Sequence, residues 1–365
     1  TDAGPAWIGA AEAWAGVPGA AATRGEGMVI GIIDTGINVR HPAFAEVDAE
    51  GYRHINPKPR RFGLCNSSMA EFCSGKLIGI HDYTSEGTRN GNDTDGHGSH
   101  VAGIAAGNVR STQLAGQTGA ITLRLSGVAP RASLISYKAC VAGTNGNPGT
   151  CPNSATMAAI DQAIADGVDV INYSIGGDAV DPWGSLTGGG SSAPMRSIAN
   201  AVRAGIVLSV SAGNSGPVPG SLSSPANAPW VLAVANATSN RRIANVLTEL
   251  SSADQPPPVS EFVGAGLAGS VGPLRLVLGE QYGSARCSQG SELDSPPTGI
   301  SNPWTGQVFN GEIVVCDRGV QARVAKGYNV RAAGGLGMVL VNTEAEGESI
   351  VSDDGLTADS RETAD

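Results

Sequence analysis

The strongest constraint on this chain is a set of short apolar runs that do not alternate with polar residues. Residues 28–33, 206–211 and 230–235 are dominated by Val, Ile, Leu and Ala, and 133–138 and 168–174 carry Leu134-Ile135 and Val170-Ile171 at successive positions. A half-exposed strand alternates with period two, whereas a run apolar at successive positions must be covered on both faces. Between the runs, residues 100–107, 153–166 and 193–204 have the Ala-rich spacing of helices. Asn153 and Ser154 are candidate N-caps there, and Gly167 and Gly205 are candidate C-cap glycines. Strand, helix and strand at this spacing predict an α/β fold, a parallel sheet with helices on both faces. In such sheets ligands gather beyond the carboxyl ends of the strands.

At 365 residues the chain has room for two domains. Its texture changes after about Asn240, where Gln255-Pro-Pro-Pro258 reads as a stiff linker. Beyond it, residues 274–278, 311–316 and 337–342 read as strands, and 329–333 as a short helix ahead of Gly334-Gly335. The net charge of −10, with no clustered Lys/Arg stripe, excludes a nucleic-acid binder. No apolar stretch approaches the roughly 20 residues of a membrane span. The chain opens on Thr1, read here as a processed terminus that has lost a signal and a propeptide.

Six cysteines occur, and none forms a Cys-x-x-Cys pair. The even count reads as a secreted, disulfide-bonded protein rather than a zinc or redox motif. Six cysteines allow 15 pairings, and nearest-neighbour closure selects Cys65–Cys73, Cys140–Cys151 and Cys287–Cys316.

Three segments carry chemistry. Val29-Ile-Gly-Ile-Ile-Asp34-Thr-Gly36 is an apolar strand ending on a carboxylate. Asp95-Gly-His97-Gly-Ser-His100-Val-Ala-Gly103 places a histidine at a helix start. Val207-Leu-Ser-Val-Ser-Ala-Gly-Asn214-Ser-Gly-Pro217 is a second apolar strand, ending on an amide. In this order they resemble the Asp, His and oxyanion Asn of the subtilisin-like serine proteases. The segment Asn310-Gly-Glu-Ile-Val-Val-Cys-Asp-Arg-Gly319, with 326–335, resembles the protease-associated domain of large extracellular subtilases. The resemblance covers nearly the whole chain. It implies residues 1–240 as a subtilisin-like peptidase domain and 241–365 as a smaller, β-rich protease-associated domain.

It also implies roles. Peptide hydrolysis needs a nucleophile, a base, a group that orients the base, and donors for the oxyanion. His97 is the implied general base, Asp34 its orienting carboxylate and Asn214 the oxyanion donor. The start of a helix disfavours protonation of His97, while Asp34 favours it. Asn172-Tyr-Ser-Ile-Gly-Gly177 resembles the strand that pairs with an extended substrate. Ser174, Ile175 and Gly176 are the implied near wall of the specificity pocket, and Ala212 and Gly213 its far wall. The family usually has Thr where this chain has Ser99.

Other readings compete. Asp-Thr-Gly also belongs to aspartic proteases, but no second Asp-Thr/Ser-Gly is present and that reading ignores His97 and Asn214. His97 and His100 lack the i,i+4 spacing and third ligand of a zinc site. Asp93-Thr-Asp95-Gly96 lacks the first ligand and distal Glu of an EF-hand. No metal is assigned, structural calcium is undetermined, and the chemistry implies no cofactor. Asn-x-Ser/Thr triplets occur at Asn66, Asn92, Asn172 and Asn236.

The family's nucleophile sits in a Gly-Thr-Ser-Met-Ala type segment, and these 365 residues contain none. The terminal run 359–365 also departs from the apolar strand expected to finish the second domain. The expectation is therefore a secreted endopeptidase by family, with this stretch inactive alone. Its partners are an extended peptide or protein substrate and a missing carboxyl-terminal part of its own chain. The competing class is a non-catalytic fragment that binds peptides through the cleft and the second domain.

Overall fold

A computed structural model describes residues 3–116, 119–142, 149–187, 194–216, 219–237, 244–253, 255–265, 271–289, 302–318 and 323–341. The expected boundary at 240–241, Asn342, Asp254, residues 143–148 of the Gly/Asn-rich loop and the terminal run 359–365 lie outside them. The chain forms two compact units, 1–113 with 122–239, and 114–121 with 240–365.

The strands of the first unit are β1 (Val29–Asp34), β2 (Phe62–Gly63), β3 (Leu77–Asp82), β4 (Arg110–Gly116), β5 (Gly119–Leu125), β6 (Ser133–Lys138), β7 (Val170–Tyr173), β8 (Val207–Ser211) and β9 (Leu232–Val234). Strands β4 and β5 form a separate two-stranded sheet, of which 114–116 and 119–121 belong to the second unit. The other seven form one sheet in the order β2-β3-β6-β1-β7-β8-β9. Every pairing in it is parallel. Helices α1 (Gly4–Trp7), α2 (Ala10–Ala15), α3 (His97–Ala106), α4 (Asn153–Asp166), α5 (Pro182–Thr187) and α6 (Pro194–Arg203) accompany them.

The two-sided apolarity of the strands has a direct structural outcome. Successive side chains point to opposite faces. Ile33, Ile78 and Ile135 therefore join Ala159, Ile160 and Ala163 of α4 and Ile198 of α6 in one core. Their neighbours Ile32, Leu77 and Leu134 join Ala102 and Ala106 of α3 in the other. Each fully buried Ile or Leu contributes about 1.5–3 kcal/mol relative to exposure. Alanines on the helices let them lie close to the sheet.

Some boundaries differ from the sequence reading. Helix α3 starts at His97, as the reading of a histidine at a helix start expects, three residues before the Ala-rich spacing at 100. Asn153 and Ser154 are inside α4, whose N-cap is Pro152 with no side-chain cap bond. Gly167 does end α4 in the left-handed region, at φ 71°. Strand β3, the hairpin β4–β5 and helices α1, α2 and α5 have no counterpart in that reading.

The second unit contains the antiparallel pair β10 (Ala244–Leu247) and β11 (Phe262–Ala265). It also has a parallel sheet of β12 (Leu276–Leu278), β13 (Ile313–Asp317) and β14 (Gly337–Val341). Helix α7 (Arg323–Ala332) is longer than the expected 329–333 turn. Val277, Trp304, Phe309, Val314 and Val330 fill its core. The disulfides are Cys65–Cys73, Cys140–Cys151 and Cys287–Cys316. No helix among the described residues is long and apolar enough to cross a membrane.

Candidate active site

Strands β1, β7 and β8 are parallel neighbours, so their carboxyl ends lie along one edge of the sheet. The three chemical segments emerge there. Asp34 ends β1 and is 2% exposed. Its Oδ1 accepts the N–H of Thr35 at 2.7 Å and a hydrogen bond from Nδ1 of His97 at 2.7 Å. A carboxylate only accepts, so Nδ1 carries the proton and the neutral ring keeps its lone pair on Nε2. His97 has 47% of its side chain exposed, which leaves that nitrogen reachable.

The bond to Asp34 raises the His97 pKa above its ordinary value; burial opposes this, and the charges of Asp34, Asp95 and Asp93 reinforce it. The carboxylates thus outweigh burial. His97 is the first residue of α3, whose N-cap Gly96 is left-handed at φ 100°.

Asp93 holds the helix start in place, a role absent from the sequence reading. Its Oδ1 accepts from the Thr35 hydroxyl at 2.9 Å and from the N–H groups of Asp95 and Gly96 at 3.1 and 2.8 Å. Its Oδ2 accepts the N–H and hydroxyl of Ser99 at 2.8 and 2.6 Å. Burial pushes the Asp93 carboxyl up, but the bonds from Ser99, Gly96 and Thr35 prevail and hold it below the ordinary value. Ser99 supplies the hydroxyl that bonds Asp93, and its oxygen also accepts the N–H of Asn38 at 2.8 Å. Close backbone approach completes the junction. A Cβ on Gly98 would stand 2.3 Å from the carbonyl oxygen of Gly36, and one on Gly36 would stand 2.6 Å from that of Gly91. Lys138, at the end of β6, ties down the preceding loop through Glu86 and the carbonyl of Asn92, each at 2.8 Å.

A cavity of about 410 Å³ opens beyond β7 and β8. Ser174 and Gly176 line one side, Gly213 and Asn214 the other, and Ser221 and Ser223 lie between. Backbone bonds fix this shape. Gly177 and Ser224 exchange N–H···O bonds at 2.9 and 3.1 Å, and Ser223 donates to the carbonyl of Ala212 at 3.1 Å. Two expected wall residues sit elsewhere. Ile175 packs against the core, and Ala212 works through its backbone rather than lining the cavity. Asp178, Ser221 and Ser223 do line it and were not singled out from sequence. Small polar residues in loops follow no period that could have marked them.

The Subtilase family model matches residues 25–289 of this chain, and the PA domain model matches 272–364. The chain is 36% identical over 351 residues to Subtilisin-like protease SBT1.5 of Arabidopsis thaliana, covering 90% of this chain and 40% of that protein. It is 35% identical over 342 residues to Subtilisin-like protease SBT1.7 of the same plant, covering 89% and 41%. The chain thus spans about two fifths of the length of these relatives.

Proposed function

The chain belongs to the subtilase family, and on that premise we propose that it carries the base, the orienting carboxylate and the oxyanion donor of a secreted serine endopeptidase. The observation that carries this reading is the 2.7 Å bond from His97 Nδ1 to the buried Asp34. In the proposed reaction a serine Oγ attacks the scissile carbonyl and yields its proton to His97 Nε2. Asp34 holds the ring and stabilises the imidazolium. The Asn214 side-chain N–H donates to the oxyanion, an interaction of roughly 3–4 kcal/mol, a magnitude measured in subtilisin itself. The imidazolium then protonates the leaving amine. The substrate lies extended along Ser174–Gly176.

The serine comes from sequence outside residues 1–365, since no Gly-Thr-Ser-Met-Ala type segment lies within them. The edge strand β9 supports an added partner segment: Leu232 and Val234 are 59% and 49% exposed. Three disulfides support an oxidising, extracellular setting. The second reading, a peptide-binding fragment without catalysis, is favoured by a cavity built wholly from residues of this chain. A serine-directed phosphonate separates the two. It should leave purified residues 1–365 unlabelled, and should label and inhibit the protein extended to the length of its relatives. Stoichiometric labelling of residues 1–365, or no labelling of the longer form, would overturn the proposal.

A further inference from the structure

The cavity beside Asn214 has a chemistry of its own. Resting on the serine-peptidase reading, the substrate's scissile carbonyl oxygen faces the Asn214 side chain. Gly213 and Asn214 both line the cavity, so the side chain just before the scissile bond is the one that enters it. Among the described residues the lining is made of glycines, seryl hydroxyls, the Asn214 amide and the Asp178 carboxylate, with Ala179 and Leu222 contributing the apolar side chains. No Lys, Arg or His lines it among the described residues.

The hydroxyls have a polarity. Ser221 donates its proton to the carbonyl of Gly216 at 2.6 Å, and Ser223 donates to that of Ala212 at 3.3 Å. What these two offer to a guest is their lone pairs. Asp178 is exposed and has no ion-pair partner among the described residues. An apolar guest would desolvate these acceptors without replacing their hydrogen bonds, and an acidic guest would meet a like charge. A guanidinium or ammonium supplies only donors and a positive charge. We infer that this cavity selects a basic residue, Arg or Lys, on the amino-terminal side of the scissile bond, with Asp178, Ser221 and Ser223 as the selecting groups.

The test is a set of peptide amides differing only at that residue, Arg, Lys, Gln, Phe, Leu or Glu, offered to the protein at the full length of its relatives. Arg and Lys peptides should be cleaved with kcat/KM at least about tenfold above the Phe and Leu peptides. Asp178→Asn should lower the Arg-to-Gln ratio at least about threefold. Serine-phosphonate-sensitive cleavage that favours Phe or Leu, or an Arg-to-Gln ratio unmoved by Asp178→Asn, overturns this inference and leaves the peptidase reading standing. Absence of any cleavage removes both.

Discussion

The backbone N–H of Gly98 donates to the hydroxyl of Thr35 at 2.8 Å, so the residue after His97 is bonded to the residue after Asp34. The same hydroxyl passes its proton to Asp93 at 2.9 Å. One side chain therefore joins the end of β1 to the start of α3, alongside the His97–Asp34 bond it protects. Thr35→Ala removes both links and leaves a buried N–H without its acceptor. The expected loss is about 1–3 kcal/mol of unfolding free energy, read by urea denaturation. Thr35→Ser keeps the hydroxyl and should lose less than half as much. Equal losses would assign the effect to the methyl group instead.

His97 should titrate above its ordinary pKa in residues 1–365, and Asp34→Asn should bring the midpoint down. The folded value is raised, so its contribution to stability is fully present below the unfolded pKa of about 6.5 and is lost as pH rises through the folded value. Catalysis needs the neutral ring, so turnover in the complete protein should rise over that same upper window. Proton NMR titration of the imidazole settles the midpoint. A His97 signal that moves below 6.5, or ignores Asp34→Asn, contradicts the described bond.

Lys76 is fully buried and donates to the carbonyls of Pro130 and Ala132, each at 2.8 Å. Burial pulls its pKa down to about 7, with Asp48 acting in the opposite direction. Between about 7 and the unfolded value of about 10.4 the unfolded chain binds the extra proton, so stability should climb with pH across that window. Lys76→Met should flatten the climb in a series of denaturation curves. A slope identical in both proteins would count against the assignment.

Cys140 and Cys151 close the stretch between β6 and α4. Replacing both by Ser should cost about 2–4 kcal/mol, chiefly by freeing the unfolded chain. The change should appear as a lower Tm under non-reducing conditions and vanish when wild type and variant are compared in reductant. A variant matching wild type without reductant would show that the bond adds nothing.

The parallel sheet was legible because Ile32 and Ile33, and Leu134 and Ile135, each need cover on opposite faces; Leu77 and Ile78 of β3 share the property without having marked a strand. Asp34 was readable through its place in the Asp, His, Asn order that resembles the family, since Asp-Thr-Gly alone is also a good turn. The Ala-rich pattern marks α3 only from residue 100, because glycines flank His97 and glycine weakens a helical pattern. What fixes the helix start is Asp93, reaching across to Thr35 and Ser99. A tertiary hydrogen bond of that kind leaves no period in sequence. Ser221 and Ser223 were invisible on the same grounds, since only the fold brings them beside Asn214.

The two borders of the seven-stranded sheet are unequal. At one, β2 is only Phe62–Gly63, too short to template further pairing. At the other, β9 presents three consecutive exposed residues, Leu232, Ala233 and Val234. An open apolar border of this sort recruits whatever strand is nearest. When residues 1–365 are handled alone, the nearest strand is another molecule's β9. The colloidal behaviour of the isolated stretch should therefore depend on concentration, with self-association setting in well before the fold itself gives way.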